Sequence, residues 1–263
     1  MNKVFVYSGS KALYFNTKND DKSVLKCPIL LYHSIGDDAI PPRLMAEHIH
    51  FLSSRFQLMT LNSLYQGVIN GNLPQNPLVI TFDDGYRDNY ELALLILEKY
   101  QVTATVFIAT GYIGGQFQGK PTMSPEQIKS LVSHGIEIGG HSVTHPNLKR
   151  LNLGELREEL TSSKARLEDI TGVKVISFAY PTGLYNSRVV EMVKEAGFKI
   201  AVTTVHDFLV NPHRLFKCPR LLVYPYESCE DIQAKLNGDQ HWLKLAHKLF
   251  IPTLSRLGKG GSY

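Results

Sequence analysis

The chain has 263 residues, 43% of them hydrophobic and 20% charged, with a formal net charge of +4. That length can bury a full core within one domain, and the composition is that of a soluble globular protein rather than a disordered or fibrous one. The weak positive charge comes from scattered basic residues with no interleaved aromatics, which argues against a nucleic-acid binder, and no window approaches the roughly 18 apolar residues of a membrane span.

The first 27 residues read as a polar, irregular extension. Ser8, Gly9, Ser10, Lys11 and Asn16 interrupt any apolar run, so no secretory signal is expected there. Strand-like and helix-like segments then alternate. Residues 28–32 form a buried apolar strand. Residues 42–54 suit a helix, with Pro42 in its first turn and Leu44, Met45, Ile49 and Leu52 on one face. Residues 78–82 are a second strong strand, 87–100 an amphipathic helix and 103–109 a β-branched, apolar strand. Ser124, Pro125 and Gln127 are spaced as a capping box, opening a helix that Gly135 ends.

A strand starts at 136–138, and a charged helix over 153–170 stops at Gly172. Strand 175–180, helix 187–196, strand 199–204, a last strand near 220–224 and a helix over 229–236 follow. Short β–α connections predict a parallel sheet with covering helices. About seven such units fit a closed or nearly closed (β/α) barrel better than an open sheet. Residues 28–240 are therefore expected to form the barrel, with 1–27 as an extension. Residues 241–263 are expected to be a basic amphipathic stretch (Trp242 to Phe250) followed by a mobile, glycine-rich tail.

Chemistry concentrates in two clusters that follow strands. Thr81-Phe82-Asp83-Asp84-Gly85 offers adjacent carboxylates, and His141-Ser142-Val143-Thr144-His145 offers two imidazoles. One carboxylate and two histidines can hold a divalent metal, which leaves the second carboxylate to move a proton. Alone, Asp83-Asp84-Gly85 would suit a helix cap. The i, i+4 histidines resemble a helical zinc pair, but Gly139-Gly140 before them and Pro146 after them place the pair on a loop. The three cysteines, Cys27, Cys218 and Cys229, have no paired spacing and read as free thiols.

These motifs resemble those of the polysaccharide deacetylases, the NodB-homology domains of carbohydrate esterase family 4. Residues 81–85 match the first family motif, 141–145 the second and Phe178-Ala179-Tyr180-Pro181-Thr182-Gly183 the third, over a span of about 28–237. The resemblance implies a distorted, NodB-like (β/α) barrel that hydrolyses an N-acetyl group on an amino sugar, with metal-bound water as the nucleophile. By position, Asp84, His141 and His145 would be metal ligands and Asp83 the general base. The Thr182 N–H would hold the oxyanion, with Pro181 and Tyr180 beside it at the substrate. The cofactor implied is one divalent metal, zinc first, with cobalt, nickel, manganese or iron also compatible with such ligands.

Two departures stand out. The third motif usually carries an arginine where this chain has Ala179, and Arg220 on a late strand is the candidate substitute. A late Leu-His motif that commonly supplies the general acid is absent. Leu31-Tyr32-His33 instead resembles the early order of poly-N-acetylglucosamine deacetylases, which makes His33 the expected acid and His206 its rival.

The rival functions are an amidase or cyclic-imide hydrolase acting on a small C–N substrate, and a glycan-binding barrel without turnover. A non-haem iron oxygenase is argued against by the spacing of the ligands. The expected partner is an acetylated amino-sugar substrate, with no nucleic acid. The expected location is the cytoplasm or the inner membrane face, where the basic C-terminal stretch could make peripheral contact.

Overall fold

The computed structural model describes residues 2–8, 11–17 and 24–238. The C-terminal amphipathic stretch expected at 241–263 lies outside the described residues. The extension expected to be irregular contains two antiparallel strands, Asn2–Ser8 and Lys11–Thr17. Among the described residues, no helix is long and apolar enough to cross a membrane.

The core is a curled parallel sheet. Seven strands run in the spatial order Ile200–Val202, Ser177–Ala179, Glu137–Gly140, Thr105–Ile108, Pro77–Phe82, Ile29–Tyr32 and Leu221–Leu222. An eighth, Gln57–Met59, also pairs with the N-terminal half of Pro77–Phe82. The segment 218–222 joins the two edges of the sheet. Cys218 bonds to Ala201 and Thr203 on one side, and Leu221 and Leu222 pair with Leu30 and Leu31 on the other. This stitching decides the closure that the sequence left open.

Period-two alternation divides the buried residues into two cores. Ile29, Val79, Phe107, Ala179, Val202 and Cys218 fill the barrel interior. Leu30, Ile80, Val106, Ile138 and Phe178 face outward to the covering helices. The helices Pro42–Ser53, Pro125–Ser133, Leu153–Thr171, Ser187–Glu195 and Cys229–Leu236 match the sequence pattern. The capping box at Ser124 and Gln127 forms as expected, and Gly172 ends its helix in the left-handed conformation. The stretch expected as one helix over 87–100 is a π-helical turn, Asn89–Ala93, that continues into Leu94–Lys99. The wider turn lets the buried Asn89 amide donate to the His33 carbonyl at 2.8 Å.

Sequence reading passed over the helix Leu61–Asn70. Its buried Leu61 and Leu64 cover the base of the barrel. Its first N–H groups find polar partners inside: Leu61 N–H donates to Thr105 Oγ1 at 2.9 Å, and Asn62 N–H to the Glu137 carboxylate at 2.8 Å. Glu137 also accepts from the Ser177 hydroxyl at 2.5 Å and the Thr105 hydroxyl at 2.8 Å.

Burial pushes the Glu137 carboxyl upward, against those hydrogen bonds. A raised folded-state pKa means that the folded protein holds its proton more tightly than the unfolded chain. This group's contribution is therefore favourable at low pH and is lost as pH rises through the raised value. Glu137→Gln keeps the shape and can satisfy the same partners. It should raise the melting temperature at pH 8 relative to wild type, with a smaller gain at pH 5; calorimetry at the two pH values checks this.

Candidate metal centre and active-site cleft

Strand register brings the chemistry to one mouth. Tyr32 pairs with Phe82, so His33 and Asp83 leave adjacent strands at the same level. Gly140 pairs with Ile108 and Phe178, which places His141 beside Ala179 on the adjacent strand. Carboxyl ends of parallel strands line the site in barrels of this kind.

Asp83 still belongs to the ladder, its N–H donating to Tyr32 O at 3.1 Å. The chain then turns sharply, with Asp84 and Gly85 both at φ +74°. Neighbours in an extended strand point to opposite faces; this left-handed turn instead brings both carboxylates toward His141. Gly85 is required, because a Cβ there would be strained and would press on Ile108 at 3.2 Å.

The histidine loop is irregular, as Gly139, Gly140 and Pro146 predict. A Cβ on Gly139 would lie 2.4 Å from the Phe107 ring, so the interior aromatic demands glycine in that strand. Ser142 and His145 take positive φ values of 65° and 55°, conformations that persist only under restraint. Glu159, on the helix Leu153–Thr171, supplies that restraint. It accepts the N–H groups of Val143 and Thr144 at 2.8 and 2.9 Å and the Thr144 hydroxyl at 2.6 Å. Nothing local in the sequence marks Glu159, because the contact spans a loop and two turns of helix.

Three donor atoms converge. Asp84 Oδ1 lies 3.5 Å from His141 Nε2 and 3.7 Å from His145 Nε2, and one ligand atom from each residue falls within 4.8 Å of the others. His141 Nδ1–H donates to the Ala179 carbonyl at 2.7 Å, which fixes the tautomer and leaves Nε2 to bind a cation. One carboxylate and two oriented imidazoles fit a divalent ion of borderline or hard character.

Asp83 is 4.0 Å from His141 Nε2 and has a different partner. Arg220 grips it bidentately, Nη1 to Oδ1 and Nη2 to Oδ2, both at 2.7 Å. Arg220 is itself 1% exposed. It also donates to the Thr203 carbonyl at 2.9 Å and Thr81 Oγ1 at 3.1 Å, and its guanidinium carbon lies 5.7 Å from the Phe107 ring centroid. Small Ala179 and Gly139 leave room for Phe107 and this arginine in the interior.

The electrostatics follow from this packing. Burial alone would raise the Asp83 carboxyl, but Arg220 and His141 outweigh it and bring the pKa to about 2. Asp84 is also lowered, against its burial, chiefly by hydrogen bonding and charge from His141. His141 is raised despite burial, because Asp83 and Asp84 favour its proton. His145 is lowered by burial and by His141. A proton on His141 thus balances the paired carboxylates, and a cation would compete with that proton for the same lone pair.

A cleft of about 490 Å³ opens over these groups, with His33 and Thr182 in its wall. Thr182 has φ +57° in the turn Pro181–Gly183. Two expectations for this motif need correction. Tyr180 and Pro181 do not line the cleft. Tyr180 is fully buried, its hydroxyl donating to Phe216 O at 3.0 Å and its ring stacked on Tyr185. Pro181 is also buried. Strand parity turns Tyr180 outward, and the pair shapes the turn that presents Thr182. His206 does not line the cleft either. Burial, with Lys235 nearby, drives its pKa to about 3, so it has no proton to give near neutrality. The three cysteines are free, as expected.

The sequence model of the polysaccharide deacetylases matches residues 70–201, the stretch that carries both the Asp83-Asp84 and the His141–His145 clusters. The chain belongs to the polysaccharide deacetylase family. Bacillus subtilis YxkH, which carries the family's name, is 30% identical over 227 residues, covering 82% of this chain and 80% of that one. The poly-β-1,6-N-acetyl-D-glucosamine N-deacetylase of Staphylococcus aureus is 27% identical over 177 residues, 64% of this chain and 61% of that one. Among solved structures, the Streptococcus pyogenes deacetylase PplD in complex with acetate superposes with a TM-score of 0.74 at 25% identity, over 81% of this chain and 98% of that one. In this deacetylase chain Ala179 stands where the third motif is expected to carry an arginine, and Arg220, just ahead of the strand Leu221–Leu222, binds the Asp83 carboxylate.

Proposed function

We propose that this polysaccharide deacetylase removes the N-acetyl group from an amino sugar in a glycan, with Asp83 as general base and His33 as general acid. The observation that carries this reading is the buried Asp83–Arg220 pair directly beside the Asp84, His141 and His145 donor set. An isolated metal triad would suit many chemistries. A triad with an oriented, ionised carboxylate at its edge and a histidine level with that carboxylate has the parts for amide hydrolysis.

A divalent ion held by Asp84, His141 and His145, zinc first among the candidates, would polarise the acetamide carbonyl and make a nearby water more acidic. The rest falls to side chains. Asp83 takes a proton as the water oxygen bonds to the carbonyl carbon. Thr182, held in its left-handed turn, presents its N–H to the oxygen that gains charge. Donors of this kind contribute roughly 3–4 kcal/mol in other hydrolases. His33 gives a proton to the sugar nitrogen as the C–N bond breaks, and acetate and a free amine leave. The bidentate Arg220–Asp83 contact supports turnover over a barrel that only binds glycan, because it gives Asp83 the partner that Ala179 cannot supply.

The test is acetate release from β-linked N-acetylglucosamine oligomers by protein stripped with a chelator and then titrated with zinc, cobalt or nickel. Activity should vanish on stripping and return with a break at one equivalent of metal. Acetate release that persists through exhaustive chelation refutes the metal assignment.

A further inference from the structure

The chain between the two ligand clusters folds back onto both of them. Strands Gln116–Phe117 and Lys120–Pro121 form a hairpin in which Phe117 stands opposite Lys120. The returning strand runs beside the residues that follow Asp84. Arg87 N–H donates to Pro121 O at 2.9 Å, Met123 N–H donates to Gly85 O at 3.0 Å, and Tyr86 pairs with Thr122. Near the hairpin tip, the Lys120 ammonium donates to Ser34 Oγ at 2.9 Å and lies 2.8 Å from the Asp38 carboxylate. Ser34, Asp38, Tyr86 and Lys120 all line the cleft, so the hairpin is tied to two of its walls.

The hairpin carries the buried Phe117 ring onto the second cluster. The Phe117 and His145 ring centroids are 5.0 Å apart, with planes tilted by 56°. On its other sides Phe117 meets Tyr112 at 4.6 Å and Tyr86 at 6.3 Å between centroids. Tyr112 is tied to the same loop, because its hydroxyl donates to Thr144 O at 3.1 Å. Gly111 N–H donates to Val143 O at 2.8 Å. One strand of the hairpin is therefore pinned beside the Asp84 turn, and the other presents a ring to His145.

His141 and His145 are oriented by different means. The Ala179 carbonyl fixes the His141 ring through Nδ1. Around His145 the hydrogen bonds act on backbone: Ser142 Oγ accepts its N–H at 3.1 Å, and Glu159 holds the two residues before it. Those contacts place the Cα but leave the ring free to turn. The ring angle is set by packing, with the His141 edge 4.8 Å away on one side and Phe117 on the other. Tilted aromatic contacts carry an orientational preference of about 0.5–1.5 kcal/mol beyond the area they bury, and a ligand ring set in advance loses less freedom when a cation binds. We propose that Phe117 is a positioning residue of the metal centre, holding the His145 imidazole where Nε2 converges with the Asp84 and His141 donors and thereby setting the affinity for the divalent ion. The proposal rests on the ligand set of the deacetylase reading; zinc binding is measured without turnover, so the two can fail separately.

The experiment compares wild type, Phe117→Ala, Phe117→Leu and Phe117→Tyr, with Leu64→Ala at the barrel base as a control for general loosening. Each metal-free protein, checked for folding by circular dichroism, is titrated with zinc against a chromophoric chelator and with cobalt for its visible absorption spectrum. Phe117→Ala should weaken zinc binding roughly tenfold, the lower end of what the loss of a supporting contact to a metal ligand costs, and should alter the cobalt spectrum. Phe117→Tyr keeps the ring and should match wild type. Phe117→Leu fills much of the same space without a flat face and should lose several-fold; it decides the matter if Phe117→Ala does not fold. Wild-type zinc affinity and cobalt spectrum in the Ala or Leu variant overturn the proposal, as does an equal loss of affinity in Leu64→Ala. A wild type that takes up no zinc defeats the ligand set and the proposal together. Zinc binding that depends on Phe117, without acetate release from any N-acetylglucosamine oligomer, would sustain the positioning role and defeat the deacetylase reading. Acetate release with zinc affinity indifferent to Phe117 would do the reverse.

Discussion

Asp83→Asn should retain one equivalent of zinc and lose acetate release by about 10²–10⁴-fold, the range that a positioned base contributes. The proposed ligand set, Asp84, His141 and His145, does not include Asp83, so metal content measured by inductively coupled plasma methods should match wild type. His141→Ala, by contrast, should lose metal and turnover together. With a pKa near 2, Asp83 is ionised across the neutral range and is a weak base. As the proposed base, it would remove a proton only from a water that a bound cation had made more acidic. The sign of the linkage follows: Asp83 is depressed below its ordinary 3.8, so its stabilising contribution is present above that value and is lost as pH falls toward about 2. A companion variant separates acid from base. His33→Ala should slow amide cleavage strongly but spare an aryl acetate, whose leaving group needs no proton. Full metal-dependent deacetylation in Asp83→Asn would remove the base assignment.

Arg220→Ala should be nearly as damaging, for a different reason. It leaves the Asp83 carboxylate buried without its bidentate partner, a loss of about 3–5 kcal/mol when one half of a buried pair is removed. For a chain of this size that corresponds to a fall in melting temperature of roughly 10 °C. The decisive variant is the double replacement Ala179→Arg with Arg220→Ala, which puts an arginine on the strand Ser177–Ala179 instead. Ala179→Arg alone should be harmful, because two guanidinium groups would crowd a dry interior over Phe107. The double variant should recover part of both stability and kcat/KM, a coupling of the kind that contacting residues show. An Arg220→Ala protein with wild-type melting temperature and turnover would show that Asp83 does not depend on this contact.

The two replacements mark where sequence reading was strong and where it was weak. Asp84, His141 and His145 were legible because each cluster follows an apolar strand, and strand ends in a parallel barrel meet at one mouth. His33 was legible for the same reason once its strand was recognised. Arg220 could be suspected only because Ala179 left a task unfilled, and nothing within several residues of Arg220 points at Asp83. Tyr180 was misjudged because Thr182 of the same motif lines the cleft, while the parity of Tyr180 turns it outward. The helix Leu61–Asn70 was missed because it covers the barrel base through only a few apolar positions, Leu61 and Leu64 among them.

By itself, the sequence determined what depends on short-range order: apolar alternation made strands, 3.6-residue periodicity and caps made helices, and two polar clusters set a possible ligand inventory. Only the tertiary structure decided which groups meet. Closure through 218–222 set Arg220 against Asp83, Glu159 held the histidine loop from a distant helix, and a left-handed turn aimed both carboxylates the same way. Local patterns repeat every two to four residues and can be counted along a chain. Register, closure and desolvation are properties of the whole packed barrel, and they appear only once distant segments exclude water together.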